Sequence, residues 1–287
     1  MSPTSQKSML LIAGPTASGK SAFAIEQARV RNGVIINADS MQVYKELRIV
    51  TARPNAEEEA LVPHRLFGHI NGADDYSTAT WLAQAHAEIN ACWSNGQLPI
   101  ICGGTGLYFM ALEQGLAKLP PIDPAIREKW RSFDGNLHAE LERRHAESAT
   151  KLNPADRQRL IRALEVLEST GKPLIEWQHR AQQQSILQNT IVERHFINLP
   201  RDELYVRAER RFDQMLQQGA VDEVHDLPPF HPAQPIMKAI GVRELQVFIK
   251  GERILEDAAI SAKTATRNYI KRQMTWFRGQ MKGWQST

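Results

Sequence analysis

Eight residues near the amino terminus, Gly14-Pro15-Thr16-Ala17-Ser18-Gly19-Lys20-Ser21, are of types that together grip phosphate. They satisfy the pattern G-x-x-x-x-G-K-[ST] between an apolar run and a helical stretch, the setting that gives the pattern weight. Glycines let a backbone curl until several N–H groups converge on phosphate oxygens. The amino terminus of the following helix adds its positive field. Lys20 brings a mobile positive charge, and Ser21 a hydroxyl suited to magnesium bound with the phosphates. The loop specifies phosphate, not a reaction. A nucleotide hydrolase usually adds an aspartate at the end of a hydrophobic strand. Asp39 could serve, but the apolar run before Gly103 ends without a carboxylate. Lys20 and Ser21 equally suit a diphosphate that departs as a leaving group.

Two more polar clusters follow apolar runs. Asp39-Ser40-Met41-Gln42 follows Val34–Ala38, and its carboxylate could ligate metal or take a proton from a nucleophile. Thr105, in Gly103-Gly104-Thr105-Gly106-Leu107-Tyr108, offers a hydroxyl where glycines allow close approach. A turn aspartate and a tight strand–helix joint would use similar residues. One arrangement brings all three loops together. Met9–Ala13, Val34–Asp39 and Leu98–Cys102 read as strands covered on both faces, with helices over Ala22–Arg29 and from Ser77 or Thr78 to Trp93. In parallel sheets of this kind ligands sit beyond the carboxyl ends of the strands. The expected fold is α/β, a P-loop NTPase-like parallel sheet core with an inserted all-helical domain.

The insert begins where the character changes, at Leu119-Pro120-Pro121. The expected division is a core of residues 1–119 and 191–287 around a helical 120–190. Within the insert, Asn153-Pro154-Ala155-Asp156 reads as a helix start, with Asn153 as cap and Asp156 accepting a free amide. Leu160, Ile161, Leu164 and Leu167 recur at helical spacing until Thr170-Gly171. Gln182 to Gln184 reads as solvent face. His195–Leu199 reads as a returning strand, and Asp202–Gln218 and Glu252–Trp276 as helices.

Across 287 residues the net charge is +3, a mild lean towards a polyanionic partner. Arg157, Arg159 and Arg162 mark the insert, and Lys263, Arg267, Lys271, Arg272, Arg278 and Lys282 follow one another with no acid between. Such faces suit a phosphate backbone, or solvent. Trp276 and Phe277 read as packing of the final helix. Two cysteines build no disulfide framework, and His64, His69 and His225 lack zinc-ligand spacing. No run approaches the roughly 20 apolar residues that span a bilayer, and Met9–Ala13 leads straight into the glycine loop. The expected location is cytoplasmic.

Taken together, GPTASGKS at 14–21, DSMQVYK at 39–45, TARP at 51–54, GGTGLY at 103–108, LNPADRQRLIRALEV at 152–166 and TRNYIKRQMTWFR at 266–278 resemble the tRNA dimethylallyltransferase family. The resemblance spreads over nearly the whole chain. It implies transfer of a dimethylallyl group from dimethylallyl diphosphate to N6 of adenosine 37 of tRNA, with magnesium as cofactor. It implies that 14–21 holds the diphosphate, that Asp39 is the base and that Thr105 lines the reaction channel. It implies tRNA contacts at Asp39, Ser40, Met41, Gln42, Thr105, Arg127, Gln158, Arg159, Leu160, Ile161 and Arg162, and over Lys238, Ala239, Ile240, Gly241, Val242 and Arg243. The partners so implied are the diphosphate and the tRNA anticodon stem-loop, with no membrane and no obligate protein partner, in a monomer. The chain departs from the family pattern at Arg48-Ile49-Val50-Thr51-Ala52-Arg53, where D-I-G-T-A-K is frequent. It departs again at Pro63-His64-Arg65-Leu66-Phe67-Gly68, where P-H-H-L-I-D is frequent, and at Val242, where tyrosine is frequent. Two other readings stay open: a small-molecule or nucleotide kinase, which would consume ATP, and an RNA-binding module that keeps the loop without turnover.

Overall fold

A computed structural model describes residues 6–117, 119–181 and 186–287; the glutamines at 182–184 lie outside them. The chain divides into two compact units, one of Met1–Ala111 with Leu187–Thr287 and the other of Leu112–Ile186.

The first unit is built on a six-stranded, wholly parallel sheet. In chain order its elements are β1 (Ser8–Ala13), α1 (Lys20–Val30), β2 (Gly33–Asn37), α2 (Ala56–Leu61), β3 (His64–Arg65), α3 (Thr78–Ser94), β4 (Leu98–Gly103) and the first residues of α4 (Gly106–Gln114), whose last turn belongs to the second unit. The strand order is β3-β2-β4-β1-β5-β6. Met9, Leu10, Leu11, Ile12 and Ala13 are wholly buried, as are Ile36, Ile100 and Ile101. Helices on both faces explain why these strands are apolar throughout rather than alternating. Ser77 caps α3 by accepting from the Thr80 N–H at 3.1 Å.

The second unit is helical: α5 (Pro124–Ser132), α6 (Leu137–Arg144), α7 (Ala146–Thr150), α8 (Arg157–Thr170) and α9 (Leu174–Ala181). Its core gathers Trp130, Leu137, Leu141, Leu160 and Leu164. The cap of α8 is Asp156, whose carboxylate accepts from the Arg159 N–H; Asn153 instead closes a turn by accepting from Ala155 N–H at 2.9 Å. The expected Asn153 cap is therefore displaced by three residues. Gly171, at φ +67, ends α8 in the left-handed conformation that glycine adopts without strain.

The chain returns to the sheet as β5 (Ile191–Phe196), followed by α10 (Arg201–Gln217), α11 (Ala220–His225), a 3-10 turn over Pro235–Lys238, α12 (Val242–Ile249), α13 (Leu255–Gln280) and β6 (Gln285–Ser286). The returning strand lies earlier than the expected His195–Leu199. It pairs with β1 from Ser8↔Ile191 to Ala13↔Phe196, so pairing stops where β1 runs into the glycine loop. Its charged residues hid it: Glu193 pairs with Arg31 at 2.5 Å and breaks the apolar run. The last helix starts later than expected because Gly251, at φ +74, turns the chain first. Among the described residues no helix is long and apolar enough to cross a membrane.

Candidate active site

Three loops leave the carboxyl ends of β1, β2 and β4, adjacent strands in the sheet. In the first, Gly14 has no room for a side chain: a Cβ would fall 2.7 Å from Ser18 Oγ and 2.8 Å from the Ile197 carbonyl. Ala17 and Gly19 take positive φ, 65° and 93°, which curls the loop into the start of α1. Lys20 folds back, its Nζ donating to the Pro15 carbonyl at 3.2 Å. No acid stands in the first turn of α1, so the positive helix end is unopposed, and Ser21 is exposed there. Burial lowers the Lys20 ammonium below its ordinary value, although Cys102 and Asp39 pull it back.

The second loop is set by Asn37, a wholly buried amide. Its Oδ1 accepts from the Asp39 N–H at 2.7 Å, and its Nδ2 donates to the carbonyls of Asp39 and Leu66 at 3.0 Å. Asp39 Oδ1 in turn accepts from the Met41 N–H at 3.0 Å. The carboxylate is thereby aimed, with Oδ2 uncommitted by any hydrogen bond among the described residues. The third loop is laced to the second. Thr105 N–H donates to the Ala38 carbonyl at 3.1 Å, and Thr105 Oγ1 accepts from the Ser40 N–H at 2.9 Å. A Cβ at Gly103 would fall 2.1 Å from the Ala38 carbonyl, which is why glycine stands there.

A cleft of about 220 Å³ opens against these loops, walled by Thr16, Asp39, Ser40, Met41, Val50 and Thr51 on one side. Arg211 and Phe212 of α10, Lys238, Ala239 and Ile240, and Thr266, Tyr269 and Arg272 of α13 complete it. Arg211 has no ion-pair partner among the described residues. Burial lowers its guanidinium's value while Asp39 raises it. The reading of the sequence missed Arg211, which sits among the charges of an ordinary amphipathic helix. Asn37 was legible only as a polar end to an apolar strand.

The expected site residues divide. Asp39, Ser40, Met41 and Thr16 share the cleft with Lys238, Ala239 and Ile240. Gln42 spends its amide on the carbonyls of Thr51 and Ala52, both at 2.9 Å. Gly241 caps α12 at φ +102, and Val242 is wholly buried beside Val43, Tyr44 and Leu47; Arg243 is exposed. In the helical unit Leu160 is buried in the core and Ile161 packs against it, whereas Arg127 and Gln158 are exposed. Arg159 pairs with Asp156, and Arg162 with Glu165. The uninterrupted basic run of α13 is answered from α10, where Asp213 pairs with Lys263 and Glu209 with Arg267.

Two departures from the family pattern meet in space. The Arg53 guanidinium donates to the Tyr44 carbonyl at 2.9 Å and lies over Gly68, where a Cβ would come within 1.7 Å of it. A side chain at 68 would displace the Arg53 guanidinium from this position. The segment is further pinned by Glu223 of α11, whose carboxylate accepts the N–H groups of Arg48, Ile49 and Val50 at 2.7–2.8 Å.

Residues 42–280 match the family model described as IPP transferase, and residues 7–67 that of isopentenyl transferase. A tRNA dimethylallyltransferase of Azorhizobium caulinodans is 49% identical over 282 residues, covering 96% of this chain and 90% of the relative. The tRNA isopentenylpyrophosphate transferase of Bacillus halodurans superposes with a TM-score of 0.70 at 32% identity, covering 98% of this chain and 90% of that one. A eukaryotic dimethylallyltransferase captured acting on tRNA superposes at 0.81 with 28% identity, over 94% of this chain and 70% of that one.

Proposed function

The chain belongs to the tRNA dimethylallyltransferase family, and from that premise we propose that its cleft joins dimethylallyl diphosphate to N6 of adenosine 37 in the tRNA anticodon loop. It is an enzyme that transfers a dimethylallyl group to a tRNA adenosine. The observation that carries the finer reading is the meeting, in one cleft, of an aimed carboxylate, Asp39, with an arginine that forms no ion pair among the described residues, Arg211.

The adenine amine forms a bond to the allylic carbon while the carbon–oxygen bond to diphosphate breaks. The bonding pair leaves with the diphosphate, and the N6 proton passes to Asp39. Lys20, Arg211 and the free amides of the 14–21 loop stabilise the charge that grows on the departing oxygens. Thr105, held by Ser40, orients the amine. Adenosine 37 must leave its stack to reach the cleft, as bases generally do when enzymes act on them.

Magnesium fits this donor set. It keeps several waters and takes only one or two protein oxygens beside substrate phosphates. The exposed Ser21 hydroxyl at the head of α1 is such an oxygen, and among the described residues no cluster of three ligands competes for the ion. When bound, the metal neutralises charge on the diphosphate.

For tRNA, the adenine end falls to Ser40, Met41, Lys238, Ala239 and Ile240, whereas the buried Val242 and the cap Gly241 only hold that segment in place. Arg127, Gln158 and Arg159, exposed on the helical unit, are assigned to the RNA backbone, whereas Leu160 and Ile161 belong to that unit's core and meet no RNA. Gln42, with its amide committed to Thr51 and Ala52, acts by shaping the wall. The proposal also holds the enzyme to be a cytoplasmic monomer. The test is incubation with magnesium, dimethylallyl diphosphate and an unmodified anticodon stem-loop carrying adenosine 37, read by mass spectrometry of the digested RNA. N6-dimethylallyladenosine, sharply reduced by Asp39→Ala and absent with ATP alone, is expected. No modified nucleoside from several suitable stem-loops overturns the reading. ATP consumption would then indicate a kinase, and RNA binding without turnover a binding module.

A further inference from the structure

Three side chains on one face of α13, Tyr269, Gln273 and Trp276, stand four and three residues apart, the spacing that aligns them along a helix. Tyr269 and Trp276 meet the third loop, and Gln273 meets both the first and the third. Trp276 lies flat against Gly106, where a Cβ would come within 2.3 Å of its ring. The Tyr269 hydroxyl interacts with Thr105 and with Gln273. Gln273 itself is only 6% exposed, and both ends of its amide are used. Its Oε1 accepts from the Thr16 N–H at 2.9 Å, and its Nε2 donates to the Gly104 carbonyl at 2.9 Å. Thr16 belongs to the 14–21 loop, and Gly104 immediately precedes Thr105. One buried amide therefore spans the loop that faces the diphosphate and the loop that faces the adenine.

We propose that Gln273 is a positioning residue that fixes the distance between these two loops, with α13 as the rigid member that carries it. The inference rests on the transferase reading above and adds to it a residue that touches neither substrate. The Thr16 N–H, turned towards Gln273, is withheld from the phosphate nest, so that this part of the loop is a structural anchor. The residue type follows from the geometry. A neutral acceptor and a neutral donor are needed on one planar group at this length. Lysine offers donors only, and an ionised glutamate would set a negative oxygen against the Gly104 carbonyl. Gly104 must be glycine for the same contact, since a Cβ there would fall 2.5 Å from Gln273 Nε2. Displacement transfer is sensitive to such spacing, because a misplacement near 1 Å costs about 100-fold in rate.

The test uses wild type, Gln273→Met and Gln273→Glu in the full chain, with both substrates saturating. Gln273→Met is expected to lower kcat by roughly 10- to 100-fold, while the Kd for inorganic diphosphate in the absence of RNA shifts by less than about threefold, since the loop's remaining amides and Lys20 still hold the anion. Gln273→Glu supplies the readout that a merely structural role would not move. A protonated acid donates to Gly104 and accepts from Thr16 as the amide does, and burial favours that neutral form. Its kcat relative to wild type is expected to climb as pH falls from about 8 to about 6. The ratio cancels whatever the two proteins share, and Tyr269, whose phenol is pushed up by burial, stays neutral throughout. Wild-type kcat in Gln273→Met, or a flat ratio for Gln273→Glu with kcat loss following the fall in Tm alone, overturns the proposal. If wild type makes no dimethylallyladenosine, the transferase reading fails and takes this one with it. If wild type turns over and the variants match it, only the positioning role fails.

Discussion

At the cleft of the first unit Arg211 has no acidic partner among the described residues, whereas in the helical unit Arg162, Arg144 and Lys129 each hold a glutamate. Glu165 there is nearly buried, flanked by Arg162 and Arg131. Glu168 takes Lys129, Arg144 and the Trp130 indole N–H together. Even Arg157 is occupied, donating to the carbonyls of Arg131 and Phe133. Arginine in the second unit ties short helices into a core too small to do so by apolar burial alone. Arginine at the cleft is left for an anion that arrives from outside. Equal residue types thus carry opposite meanings, and Arg127, exposed and without an acidic partner among the described residues, is free for the RNA contact proposed above.

The pair Arg211→Met and Arg162→Met breaks or sharpens this contrast. Arg211→Met is expected to raise KM for dimethylallyl diphosphate about 10- to 100-fold through lost charge-assisted hydrogen bonds. Its Tm should hold or rise, since a desolvated, unpaired cation is removed. Arg162→Met should do the reverse. It strips one partner from Glu165 and costs about 1–3 kcal/mol, with KM for the diphosphate unchanged. Equal effects of the two on KM would erase the distinction. Within the first unit, Glu223→Ala leaves three backbone N–H groups without their acceptor and should cost about 2 kcal/mol, read by thermal unfolding. Because Val50 is held by that carboxylate and lines the cleft together with its neighbour Thr51, KM should rise with it. Gly68→Ala forces a side chain into the Arg53 guanidinium at φ +54 and should cost about 1–2 kcal/mol. Arg53→Ala in the same chain should recover part of that loss, and additivity in the double-mutant cycle would deny the coupling.

The legibility of the molecule follows the same division. The glycine loop, Asp39 and Thr105 were readable because backbone curvature and strand ends impose residue types at fixed spacing. The sheet core was readable because burial on both faces leaves unbroken apolar runs. β5 was misplaced because an edge-side strand carries Glu193 and Arg194 among its apolar residues. β3 and β6, two residues each, have no periodicity to read. Arg211 and Gln273 were invisible as site residues for a different reason. Their roles depend on which face of a long helix meets the loops, and sequence spacing alone does not say what lies opposite. The acids that answer the basic run of α13 stand more than fifty residues away in sequence for the Arg267–Glu209 pair, out of reach of any local charge count.

The smallest expected effect concerns the other cation of the cleft region. Burial holds the Lys20 ammonium below the ordinary lysine value of 10.5, outweighing the pull of Cys102 and Asp39. In the unfolded chain this lysine keeps its proton up to about 10.5. Between the folded and unfolded values the unfolded state therefore binds more protons, and the stability of the free protein should rise with pH in that window. Diphosphate reverses the sign, because it binds the protonated form. Its affinity should fall as pH climbs through the folded value, by roughly three- to tenfold on the alkaline side before 10.5 is reached. Calorimetric titration with inorganic diphosphate across that range, wild type against Lys20→Arg, checks this. The arginine variant should stay flat, since its charge persists. A wild-type curve as flat as the variant's would mean that the lysine is as well hydrated as the exposed cations of the helical unit, and the contrast between the two regions would then rest on Arg211 alone.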